Sequence, residues 1–174
     1  ELSSYGFASG GSGLGGSSAF LLSLLVALNK SNNNFIAWEK IAKLACEIEI
    51  NKLKKPIGRQ DQYISACGGI SCFKFLPNGE VKILELGKYK LEVIRKVINN
   101  LYLIPSNKTR SADNVLSSIK NDPSTPEKLL KIRNITESFL FNDSTNLNFI
   151  EYEFHKSVSE IWEIKSRMTN VMNN

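Results

Sequence analysis

A segment rich in glycine and serine lies directly before an apolar stretch near the start of this 174-residue chain. Residues 10–19 read GGSGLGGSSA, and the apolar run continues to Leu28. Glycine lets the backbone turn tightly and approach a ligand without a Cβ in the way. A helix that begins here presents free N–H groups and a positive dipole end, and both favour phosphate. The pattern therefore predicts a phosphate-binding loop.

Two hydroxyls, Ser17 and Ser18, fall at the predicted start of this helix, where they suit hydrogen bonds to phosphate oxygens or ligation of magnesium. The segment lacks the GxxxxGK[ST] pattern of a Walker A loop, and no βαβ unit with a ribose-binding acid follows it. A flexible linker is the alternative interpretation, because Gly/Ser-rich segments often serve as linkers. A linker is rarely held between a strand and a buried helix, so we favour phosphate binding.

A carboxylate is predicted on the apolar face of a second helix. Glu49 falls in line with Ala42, Ala45 and Leu53, at offsets of four and three residues. Burying a charged group without a partner costs on the order of several kcal/mol. A partner is therefore expected, either a metal cation or a basic side chain. The spacing alone favours a structural ion pair.

A third candidate, Asp61, follows the helix-breaking residues Pro56, Ile57 and Gly58. It lies in the sequence GRQDQYISACGG, residues 58–69. A carboxylate held near a phosphate loop can orient or deprotonate an attacking hydroxyl. The local pattern fits a helix N-cap equally well.

The elements that must position these residues are predicted from hydrophobic spacing and turn residues. Helices are expected at about residues 17–28, 37–53, 112–119, 125–141 and 149–168. Strands are expected at about residues 1–7, 70–76, 81–86 and 101–104. The residues Pro77, Asn78 and Gly79 predict a hairpin between the two middle strands. The first helix is apolar almost all round, so we expect it to be buried.

Composition excludes several classes of protein. A hydrophobic content of 42% and a formal charge of +5 describe a soluble globular chain that favours anionic partners, but no nucleic-acid-binding motif is present. Cys46, Cys67 and Cys72 are too few for a disulfide framework, and His155 is the only histidine, which disfavours a zinc site. The apolar run at residues 19–28 is too short to span a membrane. We expect a cytoplasmic protein with no nucleic-acid or membrane partner.

Together, GSGLGGSSA, a helix bearing Glu49, and IGRQDQYISACGG resemble the GHMP kinases, the family of galactokinase and of homoserine, mevalonate and phosphomevalonate kinases. Within that family, EIEINKLKKPIGRQDQYISACGGISCFKF and TRSADNVL are most similar to the bacterial D-glycero-D-manno-heptose 7-phosphate 1-kinases. The resemblance covers nearly the whole chain. The two glycine-centred motifs are specific when they occur together.

The resemblance implies ATP and Mg²⁺ as cofactors and assigns roles to individual positions. The nucleotide-binding loop would comprise Gly11, Ser12, Gly13, Leu14, Gly15, Gly16, Ser17 and Ser18. Ser18 and Glu49 would be magnesium ligands, and Asp61 would be the catalytic aspartate. Gln60 and Gln62 would touch sugar hydroxyls. Arg110 would grip a substrate phosphate, with a surface salt bridge as its alternative.

The resemblance also implies an α+β fold in two parts. A ribosomal-S5-like nucleotide-binding half would cover residues 1–98, and residues 99–174 would begin a ferredoxin-like, mostly helical, substrate-side half. Members of the family carry a further N-terminal strand and a C-terminal glycine-rich motif that this sequence lacks, so we expect a fragment. The implied activity is transfer of the ATP γ-phosphate to a hydroxyl, the anomeric one, of a heptose 7-phosphate. A GHMP kinase for another sugar or small alcohol, or a truncated non-catalytic nucleotide-binding fragment, are the alternatives.

Overall fold

The computed structural model of the chain describes residues 13–102, residue 104 and residues 112–168; for residues 112–114 and 118 it describes the backbone alone. The elements in this part of the chain are α1 (Gly16–Ser31), α2 (Trp38–Cys46), α3 (Gln60–Cys67), β1 (Cys72–Phe75), β2 (Val81–Leu84), α4 (Lys88–Asn99), α5 (Ala112–Asn121), α6 (Thr125–Leu140) and α7 (Leu147–Ser166). Helices with one small antiparallel sheet agree with the predicted α+β class. The strand predicted at residues 1–7 lies outside the described residues.

These residues form two compact units. The first holds residues 13–83 and 112–116, and the second holds residues 84–102, 104 and 117–168. Each unit has buried apolar residues of its own. The domain division predicted after residue 98 stays a prediction.

The core of the first unit forms where α1, α2 and α3 meet. Leu22 and Leu25 of α1 are three residues apart and therefore share a face, as do Ile41 and Ala45 of α2, four apart. These four residues make one buried cluster. The remaining surface of α1 is less buried than its sequence predicts, because Phe20, Val26 and Leu28 are about half exposed. The expectation of a helix buried all round is therefore wrong.

The second predicted helix is confirmed, but its last part is wound differently. After α2 the chain continues as a π-helical segment, Glu47–Lys52. The N–H of Leu53 donates to the carbonyl of Ile48 at 2.8 Å, a bond that spans five residues instead of four. Lys54 then adopts a left-handed conformation with φ 54°. This turn brings the N–H of Lys55 back to the carbonyl of Glu49, 3.0 Å away.

The hairpin is confirmed: β1 and β2 pair, and the N–H of Leu76 donates to the carbonyl of Glu80 at 2.9 Å across the turn. The strands are shorter than predicted, four residues each. The structure adds a helix that was not predicted, α3, which begins after the Pro56 break and ends at Gly68, where φ is 73°. This helix carries Asp61 and Gln62.

In the second unit, α7 packs against both α4 and α6, around Val93, Phe139 and Ile150. The predicted helices α5, α6 and α7 are confirmed within about two residues at most ends. Two expectations are wrong. No helix was predicted at residues 88–99, where α4 lies, and Leu101 and Tyr102 are irregular instead of starting a strand.

Candidate active site

The first turn of α1 leaves backbone donors available. Its N-cap residue, Gly15, has φ 70° and no side chain, and no side chain from the described part of the chain caps the helix. The first hydrogen bond of the helix runs from the N–H of Ala19 to the carbonyl of Gly15, at 3.0 Å. The N–H groups of Gly16, Ser17 and Ser18 therefore have no acceptor within the helix. They point out of the positive end of the helix dipole, where an anion is stabilised.

A buried carboxylate lies beside this helix start. Glu49 is only 2% exposed. Its Oε2 accepts hydrogen bonds from Ser18 Oγ at 2.8 Å and from Gln62 Nε2 at 2.5 Å. Its Oε1 accepts from Lys55 Nζ at 3.0 Å and from Ser17 Oγ at 3.3 Å. A basic side chain is thus the partner that the placement of Glu49 on an apolar face predicts.

Burial alone would raise the pKa of the Glu49 carboxyl, because the charged form loses its hydration. Hydrogen bonds from Gln62, Lys55 and Ser18 act in the opposite direction and outweigh this effect, so the pKa lies below the ordinary value of 4.5. Glu49 is therefore ionised at neutral pH despite its burial. A charged, preoriented carboxylate is the state that can hold a cation.

Three elements bring this network together. Ser18 is buried on the inner face of α1, Glu49 lies in the π-helical segment after α2, and Gln62 lies on α3. The side chain of Gln62 is fully buried, and its Nε2 also donates to Ser18 Oγ at 3.1 Å. Among the residues that the structure describes, its Oε1 has no hydrogen-bond partner. A buried acceptor without a donor is uncommon and marks a place where a ligand or water supplies the missing contact.

Asp61 lies next to the helix start from the other side. It is the second residue of α3, whose N-cap is Arg59, so the N-cap interpretation of Asp61 is wrong. A Cβ placed on Gly15 would be 3.6 Å from Cγ and 3.7 Å from Oδ2 of Asp61. The carboxylate therefore faces the turn that leads into α1. In the described part of the chain it forms no hydrogen bond or ion pair, so it is available to a ligand.

Residues 8–69 match the family described as GHMP kinases N terminal domain. This segment is a GHMP kinase N-terminal domain. It includes every residue of the Glu49 network and Asp61. The described part of it, from residue 13, lies in the first compact unit.

A curated relative extends the similarity beyond this domain. The chain is 33% identical over 115 residues to a D-glycero-alpha-D-manno-heptose 7-phosphate kinase of Campylobacter jejuni. The match covers 66% of this chain and 34% of the relative, so the chain spans about a third of that protein. No solved structure matches the chain. Among the described helices, none has both the length and the apolar character needed to cross a membrane.

The donors of the GHMP kinase domain fit a hard cation such as Mg²⁺. Carboxylate, hydroxyl and amide oxygens are the ligands such ions prefer. Glu49 Oε2 and Ser18 Oγ place two such oxygens 2.8 Å apart. No cluster of three or more His, Cys, Asp or Glu side chains occurs in the described residues. A cation held here would therefore keep several water or phosphate ligands.

Arg59 and Gln60, which precede Asp61 in the sequence, are not members of the Glu49 network in the described part of the chain. Arg59 donates to the carbonyl of Gly79 at 2.7 Å, and its guanidinium lies 5.2 Å from the centre of the Phe75 ring. Arg59 thus anchors the hairpin instead of pointing at the helix start. Gln60 is exposed at the beginning of α3. Three further predicted site residues lie outside the described part of the chain: Gly11, Ser12 and Arg110.

Sequence reasoning missed two contributors. Gln62 was predicted as a substrate contact, and the structure places its amide in the buried network. Lys55 was not predicted at all, because a spacing of six residues does not put two side chains on one face of an α-helix. The π-helical segment and the left-handed Lys54 bring Lys55 back to Glu49. Neither feature has a recognised sequence signal here.

Proposed function

We propose that this chain is the nucleotide-binding and catalytic part of an ATP-dependent sugar kinase. The observation that supports it best is the convergence of three features in the GHMP kinase domain. These are the uncapped start of α1, the ionised Glu49 beside it, and the Asp61 carboxylate facing Gly15. Phosphoryl transfer depends mainly on positioning and on stabilising negative charge, and these groups supply both.

The substrate that we propose is a heptose 7-phosphate, phosphorylated at its anomeric hydroxyl. The support is the similarity to a heptose 7-phosphate kinase over two thirds of the chain. Gln60 and Arg110 are proposed to contact the sugar and its phosphate. A ribosomal-S5-like first half, a ferredoxin-like second half and a cytoplasmic location belong to the same proposal. A GHMP kinase for another sugar or small alcohol is the nearest alternative.

Each group of residues at the site has its own proposed role. The free N–H groups at the start of α1 hold the nucleotide phosphates, helped by the exposed Ser17 hydroxyl. Asp61 accepts a hydrogen bond from the attacking hydroxyl, orients it towards the γ-phosphate, and receives its proton as the oxygen attacks. Glu49 and Ser18 would hold Mg²⁺, which supplies charge neutralisation to the phosphate groups when bound. Gln62 keeps Glu49 oriented through its amide.

Substitution of Asp61 tests the proposal. We expect Asp61→Asn to lower turnover by about 10²–10⁴-fold, the usual contribution of a general base, while ATP binding changes little. The measurement is ADP release from Mg·ATP with heptose 7-phosphate, galactose, mevalonate and a blank without acceptor. ATP affinity is measured separately with a fluorescent analogue.

The matched control is Asp143→Asn, which makes the same change at an exposed aspartate of the second unit. It should leave both turnover and nucleotide affinity unchanged. Nucleotide binding without acceptor-dependent ADP release would favour the remaining alternative, a non-catalytic nucleotide-binding fragment. Turnover that survives in Asp61→Asn would remove Asp61 from the catalytic role.

A further inference from the structure

The charge of Glu49 is balanced by a cation that belongs to the protein. Lys55 Nζ lies 3.0 Å from Glu49 Oε1 and 3.0 Å from Ser17 Oγ. Glu49 is 2% exposed, whereas the Lys55 side chain is 29% exposed. Lys55 therefore closes the network on the side that solvent can reach. This is also the side of Ser17, at the start of α1.

The backbone holds Lys55 in this position. The left-handed Lys54 turns the chain, and the N–H of Lys55 is tied to the carbonyl of Glu49 at 3.0 Å. The side chain and the backbone of Lys55 thus both return to the same residue. An incidental surface ion pair would not need this double attachment. The arrangement makes the ammonium a fixed part of the network.

The ammonium also occupies a carboxylate oxygen that a divalent cation at Glu49 would use. Oε1 of Glu49 is a hard oxygen donor, the kind that Mg²⁺ and Mn²⁺ bind. Two cations on one carboxylate oxygen repel each other strongly in a site with little water. The network can therefore hold the ammonium or the metal ion at this oxygen, but not both.

We propose that Lys55 is an internal counter-ion that takes the place of a divalent cation at Glu49, so that metal binding must displace it. The choice of a divalent cation rests on the proposed function. Lys55 keeps the buried carboxylate paired when no metal is bound. It also makes the affinity of the free protein for metal lower than the oxygen donors alone would give. Lys55 is thus a positioning residue that determines how tightly the site binds a metal ion.

The test is Mn²⁺ binding to the full chain without nucleotide. Binding is monitored through the electron paramagnetic resonance signal of free Mn²⁺. We expect Lys55→Met to bind Mn²⁺ at least about tenfold more tightly than the wild type, because a competing charge has been removed from a buried oxygen. The control, Lys52→Met, makes the same change in net charge at an exposed lysine three residues earlier. It should change the affinity by about twofold at most, since exposed charges are screened. Lys55→Arg keeps the competing charge and should bind like the wild type.

Lys55→Met can be less stable than the wild type, because the Glu49 carboxylate then lacks a counter-ion. A second measurement covers this case. Mn²⁺ should raise the thermal unfolding midpoint of Lys55→Met more than that of the wild type, since the ion binds the folded state more tightly. Adding Glu49→Gln to Lys55→Met should abolish both gains. Equal or weaker Mn²⁺ binding by Lys55→Met, with no larger shift of its midpoint, would overturn the proposal.

These measurements need neither ATP nor a sugar, so they separate this inference from the kinase proposal. Tighter Mn²⁺ binding in Lys55→Met without any phosphoryl transfer by the wild type would support the counter-ion and contradict the kinase. Acceptor-dependent transfer by the wild type together with unchanged Mn²⁺ affinity in Lys55→Met would support the kinase and contradict the counter-ion.

Discussion

At the scale of single residues, the site combines a charge that has to stay ionised with an interior that disfavours ionisation. Glu49 resolves this conflict through donors on both carboxylate oxygens, with Gln62 and Ser18 on one and Lys55 and Ser17 on the other. Only one of these four donors carries a charge. The three neutral donors therefore stabilise the carboxylate without repelling a cation that binds to it, as a second positive charge would.

The contribution of Gln62 can be measured. Gln62→Leu keeps the apolar part of the side chain and removes the donor to Glu49 and Ser18. We expect a loss of about 1.5–3 kcal/mol in the free energy of unfolding at neutral pH, the usual value for a hydrogen bond to a charged group. The measurement is urea unfolding followed by circular dichroism. Gln60→Leu is the control, because Gln60 is exposed at the start of the same helix.

The same variant has a defined pH dependence. The pKa of Glu49 is lowered in the folded state, so its stabilising contribution is complete above the ordinary value of 4.5 and is lost as the pH falls through the lower folded pKa. The difference between wild type and Gln62→Leu should therefore shrink on acidification below that value. A difference that stays constant or grows at acid pH would show that Gln62 does not act through the Glu49 carboxylate.

At the scale of elements, the π-helical segment determines where the site residues meet. A regular α-helix through residue 52 would end with a bond from each N–H to the fourth residue before it. The bond from Leu53 to Ile48 spans five instead, which widens the turn that carries Glu49. Such segments are often found at functional sites. Here the wider turn, followed by Lys54, returns Lys55 to the carboxylate.

The left-handed Lys54 is strained, since a residue with a Cβ is disfavoured at a φ of 54°. We expect Lys54→Gly to raise the free energy of unfolding by about 0.5–1 kcal/mol, because the strain that glycine removes outweighs the cost of the extra flexibility it gives the unfolded chain. The control is Lys43→Gly, the same substitution at an exposed position inside α2, which should lower stability by about 1 kcal/mol. Urea unfolding of both variants checks the prediction. Equal destabilisation by the two would mean that Lys54 carries no strain.

Elements with a simple period or a turn signal were predictable from the sequence, and elements without them were not. The spacing of Ile41 and Ala45 indicated α2, and Pro77 with Gly79 indicated the hairpin. Helix α3 was missed because it is only eight residues long and lies between a proline and glycines, which indicate turns. Helix α4 was missed although Val93 and Ile94 form a buried face, because β-branched residues there resemble a strand.

The candidate site was predictable to a similar extent. Glycine-rich turns and carboxylates at unusual places have a chemical signal, so the sequence singles out the start of α1, Glu49 and Asp61, and their roles as site residues stay predictions. Their partners have no such signal. Gln62 and Lys55 are ordinary polar residues by composition, and only the packing of α3 and the turn at Lys54 give them a role.

At the scale of the whole chain, the proposed chemistry lies in the first unit, and the second unit has a buried charge of its own. Lys90 is buried on α4 and donates to the carbonyls of Leu140, at 2.9 Å, and of Asn142. The Leu140 carbonyl belongs to the last residue of α6, where the last four carbonyls of a helix have no partner within it, and the Asn142 carbonyl follows two residues later. The ammonium pairs with them and also suits the negative end of the helix dipole. One lysine thus joins α4 to the end of α6 inside the second unit.

Replacing Lys90 tests whether this contact stabilises the second unit. Lys90→Met keeps most of the apolar stem and removes the ammonium, so we expect a loss of about 1.5–3 kcal/mol from charged hydrogen bonds that are no longer made. Hydrogen exchange measured by mass spectrometry should show faster exchange in peptides from α4 and from the end of α6. The control is Lys165→Met, at an exposed lysine of α7, which should exchange like the wild type.

Because the Glu49 network lies in the other unit, Mn²⁺ binding by folded Lys90→Met should equal that of the wild type. Exchange in α4 and α6 that does not change would mean that the carbonyls find other partners and that Lys90 is replaceable.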